Sequence, residues 1–240
     1  MLNFAGTNMG KERKMNQDYY YVSKDGTLNV LADGMGGYTG GEIASKLATT
    51  SAVEYIEEHF DKNREYKKEE ILEIIKNAME YANSEVYQKS REKEELEQMG
   101  TTLEICLIYR ERAFIGHIGD SRIYRLRKDI FRKLTKDHSY VQTLVDDGTI
   151  TKEEAEHHPK KNMLIKALGC EGQVNADLMV KGFLKDDIIL ICSDGLTNMV
   201  SEEQIHNIIN NNIETATETL INEANKNGGL DNITVIIIKN

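Results

Sequence analysis

The chain has 240 residues, of which 40% are hydrophobic and 29% charged, and its formal net charge is −10. This length is enough for one hydrophobic core or at most two small ones, and the acidic balance argues against a protein that binds nucleic acid or an anionic membrane through a basic face. No apolar run approaches the roughly 20 residues of a membrane span, and the amino terminus lacks a signal-peptide pattern. We expect a single domain over residues 1–240, with no nucleic-acid or membrane partner.

The cysteines Cys106, Cys170 and Cys192 are odd in number and widely spaced. Two of them lie in apolar runs, so buried free thiols are a better interpretation than a disulfide or a zinc site. Free thiols are typical of the reducing cytoplasm, which is the compartment we expect. Nothing in the sequence requires an oligomer, and we expect a monomer.

The chain starts with a block of short strands that is followed by two long helices. The strands are predicted at residues 3–7, 19–23 and 28–32. Asp25-Gly26, between the last two strands, is typical of a hairpin turn. Apolar residues at helical spacing predict helices over 42–60 and 68–93. The predicted apolar stripe of the first helix consists of Ile43, Leu47, Ser51, Tyr55 and Ile56.

A second block of strands follows, and helices interrupt it. Strands are predicted at 101–109, 113–118, 121–127, 130–134, 176–183, 187–192 and 233–238. The polar region from 137 to 169 contains short helical pieces near 139–146 and 152–156, and helices at 201–210 and 214–226 precede the last strand. Because strands and helices do not alternate regularly, the pattern favours an α+β fold with antiparallel sheets.

Aspartates mark the ends of four apolar runs, at Asp33, Asp120, Asp194 and Asp231. The first three follow their runs, which predicts that they lie at the carboxyl ends of buried strands, and Asp231 precedes the last run. If the strands next to Asp194 and Asp231 pair antiparallel, both carboxylates lie at the same edge of the sheet. Carboxylates gathered without basic partners repel one another unless protons or cations intervene. The pattern therefore predicts a divalent-metal site.

Each aspartate also has a purely structural explanation. Asp33-Gly34 could be a turn, Asp194-Gly195 a turn at the start of a helix, and Asp231 part of a loop into the last strand. Asp120 could simply pair with Arg122 across a tight hairpin. The recurrence of one pattern favours the metal site, and oxygen ligands suit Mn²⁺ or Mg²⁺ rather than zinc.

Six short segments stand in a fixed order along the chain. They are Arg13-x-x-Asn16-Gln17-Asp18, Ala32-Asp33-Gly34-Met35-Gly36-Gly37, Gly100-Thr101-Thr102, Gly119-Asp120-Ser121-Arg122, Ser193-Asp194-Gly195-Leu196 and Asp231-Asn232-Ile233-Thr234. Together they resemble the motif series of the metal-dependent type-2C (PPM-type) protein serine/threonine phosphatases. The region of about 137–174 also resembles the flap of the bacterial members of that family.

The resemblance implies a central antiparallel β-sandwich flanked by helix pairs on both faces, in α-β-β-α layers, with a metal centre at one end and a flap insertion. By motif position, Asp33 is expected to bridge two ions, with the Gly34 carbonyl on one of them. Asp194 and Asp231 are expected to complete the ligands of the other ion. The two ions are expected to be Mn²⁺ or Mg²⁺.

Three further residues receive roles from the same resemblance. Asp18 is expected to hold water on the metal, Asp120 to help bind a third, looser ion, and Arg13 to bind the substrate phosphate. Some relatives carry a histidine at the position of Met35, where it serves as the acid for the leaving alkoxide. Methionine has no proton to donate, so our hypothesis is that water held near Asp120 supplies that proton.

The implied reaction is the hydrolysis of phosphoserine and phosphothreonine in proteins by metal-activated water. The implied partners are phosphorylated proteins and the bacterial serine/threonine kinase that the enzyme opposes. A catalytically silent relative that captures phosphoproteins is one alternative, and a metal-dependent phosphodiesterase or nuclease is another. The intact set of aspartates argues against the first, and the net charge of −10 argues against the second.

Overall fold

The computed structural model describes residues 1–170 and 173–240, and these residues form two antiparallel sheets that pack face to face. The strands are β1 (Leu2–Asn8), β2 (Asp18–Val22), β3 (Leu28–Met35), β4 (Gly100–Thr101), β5 (Leu103–Ile108), β6 (Arg112–Ile118), β7 (Arg122–Arg127), β8 (Ile130–Lys133), β9 (Asp177–Gly182), β10 (Ile188–Cys192) and β11 (Ile233–Lys239). One sheet has the order β1-β11-β10-β7-β8, and the other has the order β2-β3-β5-β6-β9, with β4 paired to β3.

Helices cover the outer faces of both sheets. They are α1 (Gly37–His59), α2 (Lys68–Ser90), α3 (Tyr140–Asp146), α4 (Lys152–Glu156), α5 (Asp194–Thr197), α6 (Glu202–Asn211) and α7 (Ile213–Lys226), with a 3-10 turn at Glu94–Leu96. Helices α1 and α2 pack on the sheet that contains β3, and α5, α6 and α7 pack on the sheet that contains β11. The predicted α+β sandwich with outer helices is confirmed. None of these helices in the described residues is long and apolar enough to cross a membrane.

Strand β11 shows how the sequence builds these layers. Neighbouring side chains in a strand point to opposite faces, so an unbroken apolar run such as 233–238 is expected in a strand that is buried on both sides. Ile236 and Ile238 lie in the core between the two sheets. Val235 and Ile237 lie in the core beneath the outer helices.

Helix α1 differs from its prediction in its start and in its buried face. It begins at Gly37 rather than at residue 42, because packing on β3 outweighs the low helix propensity of Gly40 and Gly41. Its buried residues include Gly40, Gly41, Ala44, Ser45, Ala48, Thr49, Ser51, Ala52, Val53 and Ile56. The predicted stripe residues Ile43 and Leu47 are only half-buried, since the small side chains take the face nearest the sheet.

The other predicted helices agree more closely with the structure. Helix α2 ends at Ser90 rather than at residue 93, and its buried residues include Ile71, Ile75, Met79, Ala82 and Val86. Short helices α3 and α4 lie where helical pieces were predicted between residues 137 and 169. Of the flap predicted at about 137–174, Glu171 and Gly172 lie outside the described residues.

Strands β3, β10 and β11 bring Asp33, Asp194 and Asp231 to one edge of the sandwich. Strand β3 continues to Met35 rather than ending at residue 32, because β2 and β4 pair with its last residues. Asp33 therefore lies within β3 and not at its end, which corrects the prediction. Strands β10 and β11 are antiparallel, with Cys192 opposite Val235. The predicted proximity of the segments that carry Asp194 and Asp231 follows from this pairing.

Candidate active site

A polar cavity of about 440 Å³ opens at this edge of the sandwich. Its lining consists of Arg13, Lys14, Met15, Gln17, Asp33, Gly34, Met35, Gly36, Gly37, Thr102, Asp120, Asn162, Leu164, Asp194 and Asp231. The structure thus brings together every site residue predicted from the sequence except Asp18. Asp18 does not line the cavity and instead pairs with Asp33 in the neighbouring strand. Lys14, Asn162 and Leu164 were not singled out from the sequence, because a single Lys, Asn or Leu in a loop carries no signal of its own.

Hydrogen bonds to its backbone hold Asp33 in place, so its carboxylate remains available to line the cavity. Its N–H donates to Thr102 Oγ1 at 2.9 Å. Its carbonyl accepts from Thr102 N at 2.9 Å and from Thr101 Oγ1 at 2.8 Å. These bonds satisfy the backbone polar groups of a half-buried residue, so the Gly100-Thr101-Thr102 segment acts as a backbone support for Asp33.

Asp18 lies directly opposite Asp33 across the β2–β3 pair. Its Oδ2 accepts from Ser193 Oγ at 2.9 Å and from Thr234 Oγ1 at 2.6 Å. Its Oδ1 is buried and has no hydrogen-bond partner in the part of the chain that the structure describes. Burial raises the pKa of Asp18 to about 7, against the lowering effect of the two hydroxyl donors. A buried acceptor with no donor is the arrangement that a cation or a water bound to one would satisfy.

Asp194 and Asp231 meet at the same edge, with Arg13 beside them. Asp194 is the first residue of α5, and its Oδ2 accepts from Asn198 Nδ2 at 3.0 Å. Burial, followed by the charge of Asp231, raises the pKa of Asp194 to about 6. Arg13 Nη2 donates to Asp231 Oδ2 at 2.7 Å. Asp231 therefore forms an ion pair with Arg13, the residue that we expect to bind phosphate.

Asn232 positions the loop that carries Arg13, and its role was not predicted. Its Nδ2 donates to the carbonyls of Met9 and Met15, at 2.8 and 3.0 Å, and its Oδ1 accepts from Gln17 N at 2.8 Å. Three bonds from one side-chain amide hold the residues before and after Arg13. In the sequence, the sign of this role is that Asn232 directly follows a predicted metal ligand. A side-chain amide at such a place can form hydrogen bonds with several backbone groups at once.

Asp120 does not form the ion pair with Arg122 that the structural alternative required. The Arg122 guanidinium instead donates to Asp137 Oδ2 through Nε at 3.0 Å and Nη2 at 2.7 Å. Burial, followed by the charge of Asp194, raises the pKa of Asp120 well above its usual range. Gly119, just before it, has a φ of 116°, which favours glycine.

Gly34 permits a close approach that no other residue would. A Cβ placed on it would lie 2.0 Å from the carbonyl oxygen of Gly41. Its N–H donates to the carbonyl of Gln17 at 3.0 Å. The start of α1 and the segment before β2 therefore both touch the backbone of β3 at this residue.

The donor set fits a hard divalent cation, because it consists of carboxylate and backbone oxygens. Burial, followed by the charges of Asp18, Asp194 and Asp120, raises the pKa of Asp33 well above its usual value, and a cation would relieve the same repulsion. Within residues 1–170 and 173–240, no group of three or more His, Cys, Asp or Glu side chains is already arranged to hold a metal ion.

The prediction of buried free thiols is confirmed for Cys106 and Cys192. His117 is buried with both ring nitrogens satisfied, by Glu104 Oε1 at 2.7 Å and by the carbonyl of Lys136 at 2.8 Å. Cys106 and Cys192 are buried free thiols, and Cys170 is exposed. Burial raises the pKa of the Cys106 thiol to about 12, which makes it a poor nucleophile.

Comparison with known proteins gives one consistent result. A family model described as Protein phosphatase 2C matches residues 5–229. Protein phosphatase PhpP of Streptococcus pneumoniae is 40% identical over 238 residues, which covers 97% of this chain and 94% of the relative. The crystal structure of the Mycobacterium tuberculosis serine/threonine phosphatase PstP/Ppp is 34% identical, with a TM-score of 0.89 over 100% of this chain and 99% of that one. A PstP catalytic domain in complex with two manganese ions is 35% identical, with a TM-score of 0.86 over 98% of this chain and 96% of that one.

Proposed function

The chain belongs to the protein phosphatase 2C family and is a metal-dependent protein serine/threonine phosphatase, and we propose that it hydrolyses phosphoserine and phosphothreonine at a binuclear Mn²⁺ or Mg²⁺ centre in the acidic cavity. The observation that carries this proposal is the gathering of four aspartates and one arginine in a single cavity. An oxygen-rich, negatively charged wall binds divalent ions, and one guanidinium beside it binds phosphate.

The proposed ligands are the residues that the family resemblance implies, and all of them line the cavity. Asp33 would serve both ions, and the carbonyl of Gly34 would serve one of them. Asp194 and Asp231 would hold the other ion. When bound, such ions lower the pKa of a water molecule and neutralise charge on the phosphoryl oxygens. Cys106 and Cys192 take no part, because both are buried.

Two residues around this set act on water and on a further ion. Asp18 lies opposite Asp33, and one of its buried oxygens has no partner among residues 1–170 and 173–240. We assign that oxygen to the orientation of water in the centre. Asp120 faces the same cavity from another loop and is the residue that would help to hold a third ion.

Arg13 is the phosphate-binding residue in this proposal. Its side chain is 50% exposed, and its Nη2 is held by Asp231 at 2.7 Å. The contact fixes the guanidinium at the cavity wall, and its remaining N–H groups are available to phosphoryl oxygens. A planar guanidinium offers paired donors that match phosphate geometry. Positioning and charge neutralisation are most of what phosphoryl transfer requires.

Met35 lines the cavity and cannot donate a proton to the leaving alkoxide. Because water near Asp120 is our candidate donor, Asp120→Ala is expected to slow hydrolysis of a phosphoserine peptide about tenfold more than hydrolysis of p-nitrophenyl phosphate, whose leaving group needs no proton. The ratio of the two kcat values, measured at saturating Mn²⁺, checks this. Equal losses on both substrates would eliminate Asp120 from leaving-group protonation.

Protein substrates are selected, in our proposal, by the flap. Asn162 and Leu164 extend from it to the cavity lining, so the flap contacts whatever enters. The same proposal assigns the enzyme to the cytoplasm as a monomer that opposes a serine/threonine kinase.

The alternative substrate class is a phosphodiester. Hydrolysis of a phosphothreonine peptide and of a single-stranded oligonucleotide by the same Mn²⁺-loaded protein separates the two possibilities. We expect phosphate release from the peptide only, because a chain with net charge −10 repels a polyanion. Cleavage of the oligonucleotide at a comparable rate would replace the phosphatase with a phosphodiesterase. Binding of the phosphopeptide without hydrolysis would indicate the silent relative.

A further inference from the structure

Two consecutive flap residues, Asp137 and His138, hold the turn that carries Asp120. Asp137 accepts the bidentate contact from Arg122 at one end of the turn. His138 binds Gly119 at the other end through both backbone groups. The Gly119 N–H donates to His138 Nδ1 at 3.1 Å, and the His138 N–H donates to the Gly119 carbonyl at 2.7 Å.

The bond to Gly119 defines which nitrogen of His138 carries the proton. Nδ1 is an acceptor, so the proton of the neutral ring lies on Nε2, and Nε2 is 3.4 Å from Asp177 Oδ2. The ring stacks on His117 with centroids 4.6 Å apart. Burial, followed by the charge of His117, lowers the pKa of His138 to about 4. The ring is therefore neutral, and its Nδ1 lone pair is available.

His138 also touches the part of the flap that returns to the cavity. Its carbonyl accepts from Ile165 N at 2.9 Å, and the next residue, Ser139, pairs with Leu164 in a β-bridge. Leu164 lines the cavity. His138 thus lies between the turn of Asp120 and the flap segment that faces the substrate.

We propose that His138 is a positioning residue for the phosphatase reaction, whose Nδ1 acceptor fixes the Gly119 peptide and thereby the place of the Asp120 carboxylate. Gly119 has a φ of 116° and, as a glycine, can adopt several backbone conformations. The hydrogen bond from its N–H to His138 Nδ1 stabilises the conformation that is observed. The inference rests on the proposed function, in which Asp120 helps to bind a divalent ion. The contact from Nε2 to Asp177 is long and, in this proposal, secondary.

Two nearly isosteric variants distinguish the roles of the two nitrogens of the His138 ring. In His138→Asn, the amide oxygen takes the place of Nδ1 and retains the acceptor for Gly119. In His138→Gln, the amide nitrogen takes the place of Nε2, and the acceptor for Gly119 is lost. Binding of Mn²⁺ alone is measured by electron paramagnetic resonance titration. The Mn²⁺ concentration that gives half-maximal phosphothreonine-peptide hydrolysis is measured beside it.

His138→Gln is expected to weaken the loosest Mn²⁺ site about tenfold, which is the size of one buried hydrogen bond, with an unchanged KM for the peptide. His138→Asn is expected to stay within about twofold of wild type. His158→Gln is the matched control, because His158 Nδ1 also accepts a backbone N–H, from Lys160 at 3.1 Å, and does not line the cavity.

Equal Mn²⁺ affinities in the Gln and Asn variants, whether both normal or both weakened, would overturn the proposal. If His138→Gln fails to fold, His138→Ala removes the same acceptor without adding length, and it must show the same weakened site. A wild-type protein that binds Mn²⁺ but releases no phosphate would contradict the proposed function. The titration with the metal alone would still decide the role of His138.

Discussion

Asp194→Asn is expected to abolish phosphopeptide hydrolysis while leaving the protein folded. Asp194 lies at the cavity edge beside Asp231, and an amide in its place removes one negative charge from the proposed ion site. Loss of a metal ligand removes both the activated water and the charge that neutralises the phosphoryl oxygens. We expect kcat at saturating Mn²⁺ to fall by on the order of 10³-fold or more.

The same variant is expected to be more stable than wild type when metal is chelated. Burial and the charge of Asp231 raise the pKa of Asp194 from 3.8 to about 6, so its ionisation destabilises the folded state increasingly between these two pH values and to the full extent above the higher one. An uncharged residue removes this repulsion, and each kcal/mol gained raises the melting temperature by about 2–4 °C. Thermal unfolding in chelator at pH 8 measures the gain.

Asp129→Ala is the control for this experiment, because Asp129 is an exposed aspartate whose partners among the described residues are His206 and Asn210. It should leave both activity and melting temperature near those of wild type. An Asp194→Asn protein that retains wild-type kcat would remove Asp194 from the ligand set. A variant that is less stable than wild type in chelator would show that the Asn198 bond outweighs the repulsion.

Arg13→Ala is expected to lower kcat/KM for a phosphothreonine peptide by about 10²-fold, since one preorganised charge on the phosphoryl group is worth about that much. Arg13→Lys should recover only part of the loss, because an ammonium lacks the paired donors of a guanidinium. Steady-state kinetics at saturating Mn²⁺ provide both values.

The control for Arg13 is Arg64→Ala, which removes an exposed arginine from an ion pair with Glu70 at 3.3 Å. Exposed pairs contribute little, so its kinetics should match wild type. An Arg13→Ala enzyme whose kcat/KM stays within twofold of wild type would show that the phosphate is bound by the metal centre alone.

The sequence predicted much of what positions the proposed metal ligands, because strand ends and glycines leave local signals. The prediction of a shared sheet edge for Asp194 and Asp231 depended on antiparallel pairing of the strands beside them, and that pairing is observed. The exact end of β3 was missed, since its last residues are strand only through pairing with neighbours that lie far away in the chain.

The residues that hold the ligands in place could not be predicted in the same way. Thr234 donates to Asp18 from 216 positions away in the sequence, and Asn232 and His138 act on backbone groups of distant loops. Such contacts depend on the assembled sandwich and not on any local pattern of residues. The buried face of helix α1 was predicted incorrectly for a related reason. The sheet on which the helix packs, and not the size of the side chains, decides which face is buried.

Phosphate release from a phosphothreonine peptide by the wild-type protein, after chelation of metal and again after Mn²⁺ is restored, tests the central claim most directly. We predict no release in chelator and recovery of activity with Mn²⁺. Release that continues in chelator, or no release at any Mn²⁺ concentration, would contradict a metal-dependent phosphatase built on the aspartate cavity.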